Sequence, residues 1–475
     1  MKDVRKLGLL GLTGMVAGSM IGSGVFNLPS NMAQSASAGA VLIGWAVTFV
    51  GMALIANAFR LLANARPELS GGVYTYAEAG FGRFVGFEMA WGYWLSAAFS
   101  NVAFAVLVGS IAGYFHPAFA DTKSWPAFAI GSFVIWGMTL IVLRGVTDAA
   151  RLNVVVTAAK LIPLIFIVVV LVGAFEPQKF EVDLWGTQDK LGSIFDQVKS
   201  TMIVTLWAFI GIEGAVVVSG RAKNTRMVGL ATMIGFALAF TLYALVSLSS
   251  FGVAERATLA GLKDPSAAYL MGSLVGGWGA TLVNLAVLVS VLGAWLAWTI
   301  MTVEVPYVAG RDGGFPAIFG RTNSRGAPAA ALLITACVMQ AMLVLATFAD
   351  NAWIFLITVV GVMILPPYLA SAAYLLKLAF LPAEPGAPAV PRRQALLIGL
   401  GASVYAVWLL YAAGLAMLLL ACVFYALGMP VFQRARQERA PGTPAFTKRE
   451  SALAITLAVL GIVAVLLFAM GHVKV

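Results

Sequence analysis

The sequence predicts an all-α polytopic membrane protein, and three observations carry that reading. The chain is 61% hydrophobic and only 11% charged, where soluble domains hold about 25% charged residues. Its mean hydropathy is +0.93. Its charge-poor stretches recur at the length, about 20 residues, that a helix needs to cross the hydrocarbon core. In that core every backbone N–H and C=O must find a partner, which a helix supplies within itself.

Taken in order, apolar segments fall at 8–33, 40–63, 83–115, 126–144, 151–174, 197–219, 227–252, 272–306, 328–347, 353–380, 394–412, 414–432 and 451–471. These are expected to be about thirteen transmembrane helices. The first is too long for a cleaved signal, lacks a small-residue cleavage site and is followed by further spans. The eleventh and twelfth are divided only by the minimal turn Ala412, Ala413 and Gly414, and the last stands apart behind a polar run. The long loop 176–199 separates a first set of helices (1–175) from a second (200–380), with additional helices in 381–475.

Lys and Arg set the orientation. With the N-terminus in the cytoplasm, 22 of the 30 cations lie in inside segments, from Lys2, Arg5 and Lys6 to Arg434, Arg436, Arg439, Lys448 and Arg449. Only Lys123, Lys179, Lys190, Lys199, Arg256, Lys263 and Lys474 fall outside. An odd number of spans then places the C-terminus outside. The net charge of +10 is therefore a topology signal, and no nucleic-acid partner is expected. Cys337 and Cys422 fall inside spans and read as small buried hydrophobes. The two histidines, His116 and His472, form no ligand cluster with Cys or carboxylates, so no metal, cofactor or metalloenzyme chemistry is expected.

The first segment interrupts itself. Ile21, Gly22, Ser23 and Gly24 stand in mid-span, where glycine costs about 1 kcal/mol relative to alanine. One account is a small-residue packing face of Gly14, Gly18 and Gly22. The other is a broken helix lining a solute cavity. The sixth segment has a matching interruption, Gly211, Ile212, Glu213 and Gly214, and breaks at corresponding positions of two halves point to a transporter site. The start of a half-helix at Ser23 and Gly24 would offer N–H donors to an anion. The half-helix ending near Trp207 and Ile210 would offer carbonyls to an ammonium. Donors on one side and acceptors on the other suit a zwitterion such as an α-amino acid.

Trp207, Trp295 and Trp298 could present faces to a cation or simply pack. Four ionisable residues lie in or near spans, a functional hypothesis by default. Glu88 reads as interfacial. Lys160 is deep, or else snorkels to the cytoplasmic surface. Glu213 lies in the second break. Glu304 reads as a solvated helix end or a gate charge. Tyr93, Ser96, Ser100 and Asn101 are polar positions within the third helix, either interhelical contacts or cavity lining.

These residues resemble the amino acid–polyamine–organocation superfamily, specifically the bacterial basic amino acid/polyamine antiporters. The carrying motifs are GSMIGSGVF at 18–26 followed by LP at 28–29, PELSGGVYTY at 67–76, TLWAFIGIE at 205–213, DGGFP at 312–316 and NSRGAP at 323–328. The resemblance implies a five-plus-five inverted-repeat (LeuT-like) transporter fold with discontinuous helices 1 and 6. It implies carboxylate binding at Ser23 and Gly24, and amine binding by carbonyls of both breaks, including Ile210. It gives Trp207 the cationic side chain, Asn101 a side-chain contact and Phe104 an influence on substrate length. Trp295 would be an inner gate, Tyr93 and Glu213 would take part in gating, and Lys160 would stand where sodium-coupled cousins hold sodium. GAWLAW at 293–298 and EVP at 304–306, with the extra helix, look most like the arginine/ornithine antiporter and lysine permease branch. The function expected is therefore exchange of cationic amino acids across a bacterial inner membrane, arginine for ornithine first, with a proton-coupled permease or arginine/agmatine or histidine/histamine exchange as alternatives. The partners expected are cationic amino acids, the bilayer and, in a homodimer, a second copy; the chain is not expected to be an enzyme.

Overall fold

The spans form where apolar runs are long and end where glycine, proline or charge accumulates. The computed structural model describes residues 6–69, 71–119, 124–348, 352–382, 390–470 and 472. Lys2, Arg5, Lys123 and Lys474 of the orientation argument, and Ser70 of the loop motif, lie outside the described residues. The spans are α1a (Leu9–Met20) and α1b (Gly24–Ala33), α2 (Ala38–Ala65), α3 (Arg83–Phe115), α4 (Trp125–Leu143), α5 (Val146–Gly173), α6a (Ile194–Phe209) and α6b (Gly214–Val217). Then follow α7 (Thr225–Phe251), α8 (Gly277–Asp312), α9 (Ala329–Ala346), α10 (Ala352–Leu378) and α11 (Arg392–Ala413). The last two are α12 (Leu415–Ala426, continued by Met429–Arg439) and α13 (Lys448–Ala469).

Twelve of these are long and apolar enough to cross a membrane. The thirteenth is the pair α6a–α6b, which falls short of a continuous span because it breaks. The chain is thus a polytopic membrane protein of about thirteen helices, with the first and sixth discontinuous. One expected boundary is corrected. The eighth segment divides at Gly276, whose φ of 88° ends a separate helix, Ser266–Val275, before α8 begins. Both pieces are apolar, so hydropathy alone fused them.

Burial sorts the helices. The most apolar stretch of α3 is 88% buried and that of α10 is 76% buried, against 17% for α13. Interior helices therefore build the site, and α13 faces lipid. α1a packs among α5, α7 and α8, while α3 packs between α8 and α10. Gly14 and Gly18 lie against α5. A Cβ at Gly14 would come within 2.9 Å of Val154 Cγ2, and one at Gly18 within 2.8 Å of Thr157 Oγ1. The packing reading thus holds for these two glycines, one and two turns before the break.

Chain ends of the broken helices are tied together on both sides. Leu7 N–H donates to Arg221 O (2.7 Å), and Lys223 N–H donates to Leu7 O (2.9 Å), so the lead into α1a forms a short parallel bridge with the segment after α6b. At the far end of α1b, Arg256 donates to the Ala33 carbonyl (2.7 Å) and pairs with Asp189 of the 176–199 loop. Ser266 Oγ accepts from Ser30 N–H (3.2 Å) and donates to Phe26 O (3.3 Å).

Three side-chain expectations change. Glu88 is buried rather than interfacial, at 5% exposure, because Tyr425 and Phe432 of α12 cover its end of α3. Glu304 is not a solvated helix end; it is buried in an ion pair with Arg221 at 2.8 Å. Cys337 is exposed and Cys422 half-buried, so neither is a core thiol.

Candidate functional site

Both breaks meet at one cavity. It is lined by Ser19, Met20, Gly22, Ser23 and Gly24 of the first helix, Ser100 and Phe104 of α3, Trp207, Ala208 and Ile210 of α6a, and Trp298 of α8. Six of the thirteen residues expected at the site therefore line it: Gly22, Ser23, Gly24, Phe104, Trp207 and Ile210.

At the first break the carbonyls are already taken. Lys160, fully buried on α5, donates from Nζ to Gly18 O (2.7 Å) and to Ile21 O. Ser290 Oγ reaches Ile21 O and Gly22 O at 3.3 and 3.2 Å. Trp298 Nε1 donates to Ser19 O (3.1 Å). Lys160 therefore does not snorkel; its ammonium replaces the helical amides that the break removes. What the break leaves over are donors. The amides of Ser23 and Gly24 open α1b, where no preceding turn can accept from them. Ser23 Oγ is buried and has no hydrogen-bond partner among the described residues. Ser23 side chain and two amides thus converge at the positive end of a ten-residue helix.

The second break has the opposite economy. Gly211 takes a φ of 111°, and a Cβ there would come within 2.6 Å of Ser19 Oγ, so only glycine fits. The Gly211 amide turns to Glu213 Oε2 at 3.1 Å. Ile212 N–H donates back to Phe209 O (3.1 Å), and Gly214 N–H to Gly211 O (2.9 Å). The amides of Gly211, Ile212 and Gly214 are consumed, and the carbonyls of Ala208 and Ile210 accept no hydrogen bond among the described residues. Glu213 is fully buried and also accepts from Tyr93 OH (3.0 Å) and Tyr368 OH. This carboxylate pins the break to α3 and α10.

The remaining residues fall behind the walls. Trp295 is fully buried with its ring centroid 6.4 Å from that of Phe104; Trp298, one turn on, lines the cavity in its place. Asn101 is fully buried, its Nδ2 lies 3.5 Å from Thr302 Oγ1, and it is not among the described residues lining the cavity. Glu304 sits two turns beyond Trp298, held by Arg221. Sequence reasoning missed Tyr368 and Ser290. Each is a polar residue within an apolar span, which is the signal that singled out Tyr93, but nothing in the sequence says which break it faces.

The wall opposite the helix ends is aromatic, formed by Phe104, Trp207 and Trp298, with no carboxylate among the lining residues. Gly24 lies so close to this wall that a Cβ would come within 3.3 Å of Trp207 Nε1. The site can hold an anionic group at α1b, an ammonium at the end of α6a and a second, flat or cationic group against the rings.

A family model described as amino acid permease matches residues 7–447. A relative from Clostridium perfringens (strain 13 / Type A), provisionally named an amino-acid transporter, is 45% identical over 98% of both chains. The arginine/agmatine antiporter of Chlamydia caviae is 42% identical over 100% of this chain and 99% of its own length. That of Chlamydia trachomatis serovar L2 is 43% identical over 98% and 97%.

Proposed function

The chain belongs to the amino acid permease family, within the amino acid–polyamine–organocation superfamily, and from that premise we propose that it exchanges arginine for agmatine across the bacterial cytoplasmic membrane by alternating access. The single observation that carries this reading is the opposite polarity of the two breaks. Amides and Ser23 Oγ at α1b suit the substrate carboxylate. The Ala208 and Ile210 carbonyls suit its α-amine; those of Ile21 and Gly22 already hold Lys160 and Ser290. Trp207, Phe104 and Trp298 take the cationic side chain. The Lys160 ammonium does the work a sodium ion would do between the same carbonyls. Tyr93, Glu213, Tyr368 and the Arg221–Glu304 pair are the bars on the inner side, with Trp295 behind Phe104 as the next layer.

We take the partner as agmatine rather than ornithine because two of the three relatives cited bear the name arginine/agmatine antiporter and match over nearly full length. Their match extends through α13, so the thirteenth helix does not separate the two branches. We further propose that 1–175 and 200–380 are inverted repeats, with 381–475 an addition, and that the N-terminus is cytoplasmic and the C-terminus outside. Cytoplasmic activity of a reporter fused behind the last residue would refute that orientation.

The exchange test uses charge. One arginine (+1) for one agmatine (+2) moves a unit charge, worth about 2.3 kcal/mol per 100 mV of membrane potential; arginine for ornithine moves none. In proteoliposomes loaded with agmatine, uptake of labelled arginine is expected to follow an imposed potential and to stop without internal substrate. Potential-independent exchange against internal ornithine, with none against agmatine, would overturn the assignment. Ser23→Ala is expected to weaken arginine about tenfold and leave agmatine, which has no carboxylate, within about twofold.

A further inference from the structure

We propose that Ser100 is the residue that reads the distal group of the substrate, accepting a hydrogen bond from its guanidinium or ammonium. The inference rests on the cationic-substrate reading above. Residues four apart on a helix share a face, so Ser100 stands with Phe104 on the cavity side of α3. Asn101, the next residue, is turned about 100° away by the helix and is not among the described lining residues; its Nδ2 lies 3.5 Å from Thr302 Oγ1, while its buried Oδ1 has no partner among the described residues. Ser96, one turn before, is already committed to the Val360 carbonyl at 3.0 Å. Ser100 Oγ is buried and has no hydrogen-bond partner among the described residues. Native structures seldom leave a buried hydroxyl unpaired, so the orphan marks a place where something else supplies the partner.

The other hydroxyls on the cavity wall have different work. Ser19 Oγ donates to Met15 O (2.7 Å), and Ser23 belongs with the amides of α1b. With no carboxylate among the described lining residues, the aromatic rings attract a cation without fixing its N–H groups in direction. A hydroxyl accepting from a cationic donor adds that direction, and hydrogen bonds to charged groups are the stronger ones. Ser100 therefore sets discrimination between a substrate with distal N–H groups and an apolar one of equal length.

The test is competition against labelled arginine on purified protein in detergent, with arginine, agmatine and norleucine as ligands. Ser100→Ala is expected to weaken arginine and agmatine alike, by about tenfold, and to leave norleucine within about twofold. Ser100→Thr, which keeps the hydroxyl, is expected to recover most of the loss, and it stands in if the alanine variant does not fold. Asn101→Ala is expected to shift all three ligands by one common factor. Unchanged arginine affinity in Ser100→Ala, an equal loss for norleucine, or a larger arginine-specific loss in Asn101→Ala would each overturn the proposal. Failure of the wild-type protein to bind any cationic ligand would instead overturn the substrate reading, and the proposal with it.

Discussion

The two breaks begin from the same local event, the loss of one helical turn at glycine, yet they expose opposite halves of the peptide group. At the first, outside groups cover the carbonyls: Lys160 from α5, and Ser290 and Trp298 from α8. Donors remain. At the second, the chain covers its own amides, through Glu213 and two tight turns, and acceptors remain. Sequence decides which. A lysine nearby neutralises carbonyls, and a glutamate inside the break neutralises amides. The polarity of an unwound segment thus follows from the charge of the side chain that repairs it.

Removing the repairing groups is the strongest way to break this comparison. Lys160→Met leaves the Gly18 carbonyl without its donor and the Ile21 carbonyl with Ser290 alone, at about 1–3 kcal/mol for a stranded buried group. Loss of exchange by more than about 100-fold, with a lowered melting temperature in detergent, is expected; activity near wild type would mean that the carbonyls find other partners. Glu213→Ala strands the Gly211 amide and two tyrosine hydroxyls and is expected to slow exchange by about 30-fold or more. Glu213→Gln keeps one acceptor oxygen and should fall between it and wild type. If Gln proves the worse of the two, hydrogen-bond repair is not what Glu213 provides.

Smaller changes sharpen the contrast between site and packing within one helix. Gly24→Ala presses on Trp207 at 3.3 Å and is expected to weaken arginine by about tenfold with little change in melting temperature. Gly14→Ala presses on Val154 at 2.9 Å. It should cost about 1 kcal/mol of stability and leave affinity unchanged. Ligand titration and thermal unfolding of both variants would separate the roles; equal effects on both readouts would merge them.

Much of this was legible in the sequence for a physical reason. A glycine or glutamate in mid-span is expensive in hydrocarbon, so Gly22, Gly24, Gly211 and Glu213 announce themselves. The thirteen segments were legible because crossing length and apolarity are local properties. What was not legible depends on rotation and on distant contacts. Trp295 and Trp298 are three residues apart, and only the packed helix shows that the second reaches the cavity. Ser100 is among the described lining residues and Asn101 is not, for the same reason. Tyr368 meets Glu213 from 155 residues away, and Glu88 is covered by α12, a helix whose docking no local pattern encodes. Arginine/ornithine exchange was expected from the motifs at 293–298 and 304–306 and from the extra helix; the agmatine proposal rests instead on relatives named arginine/agmatine antiporter, whose match runs through α13 as well.

The short bridge at Leu7 has a mechanical consequence. It fastens the start of α1a to the segment leaving α6b, which predicts that these two ends move together during exchange. A disulfide between Leu7→Cys and Ala222→Cys should accordingly leave exchange unaltered; a lock that stops turnover would reveal two independent parts.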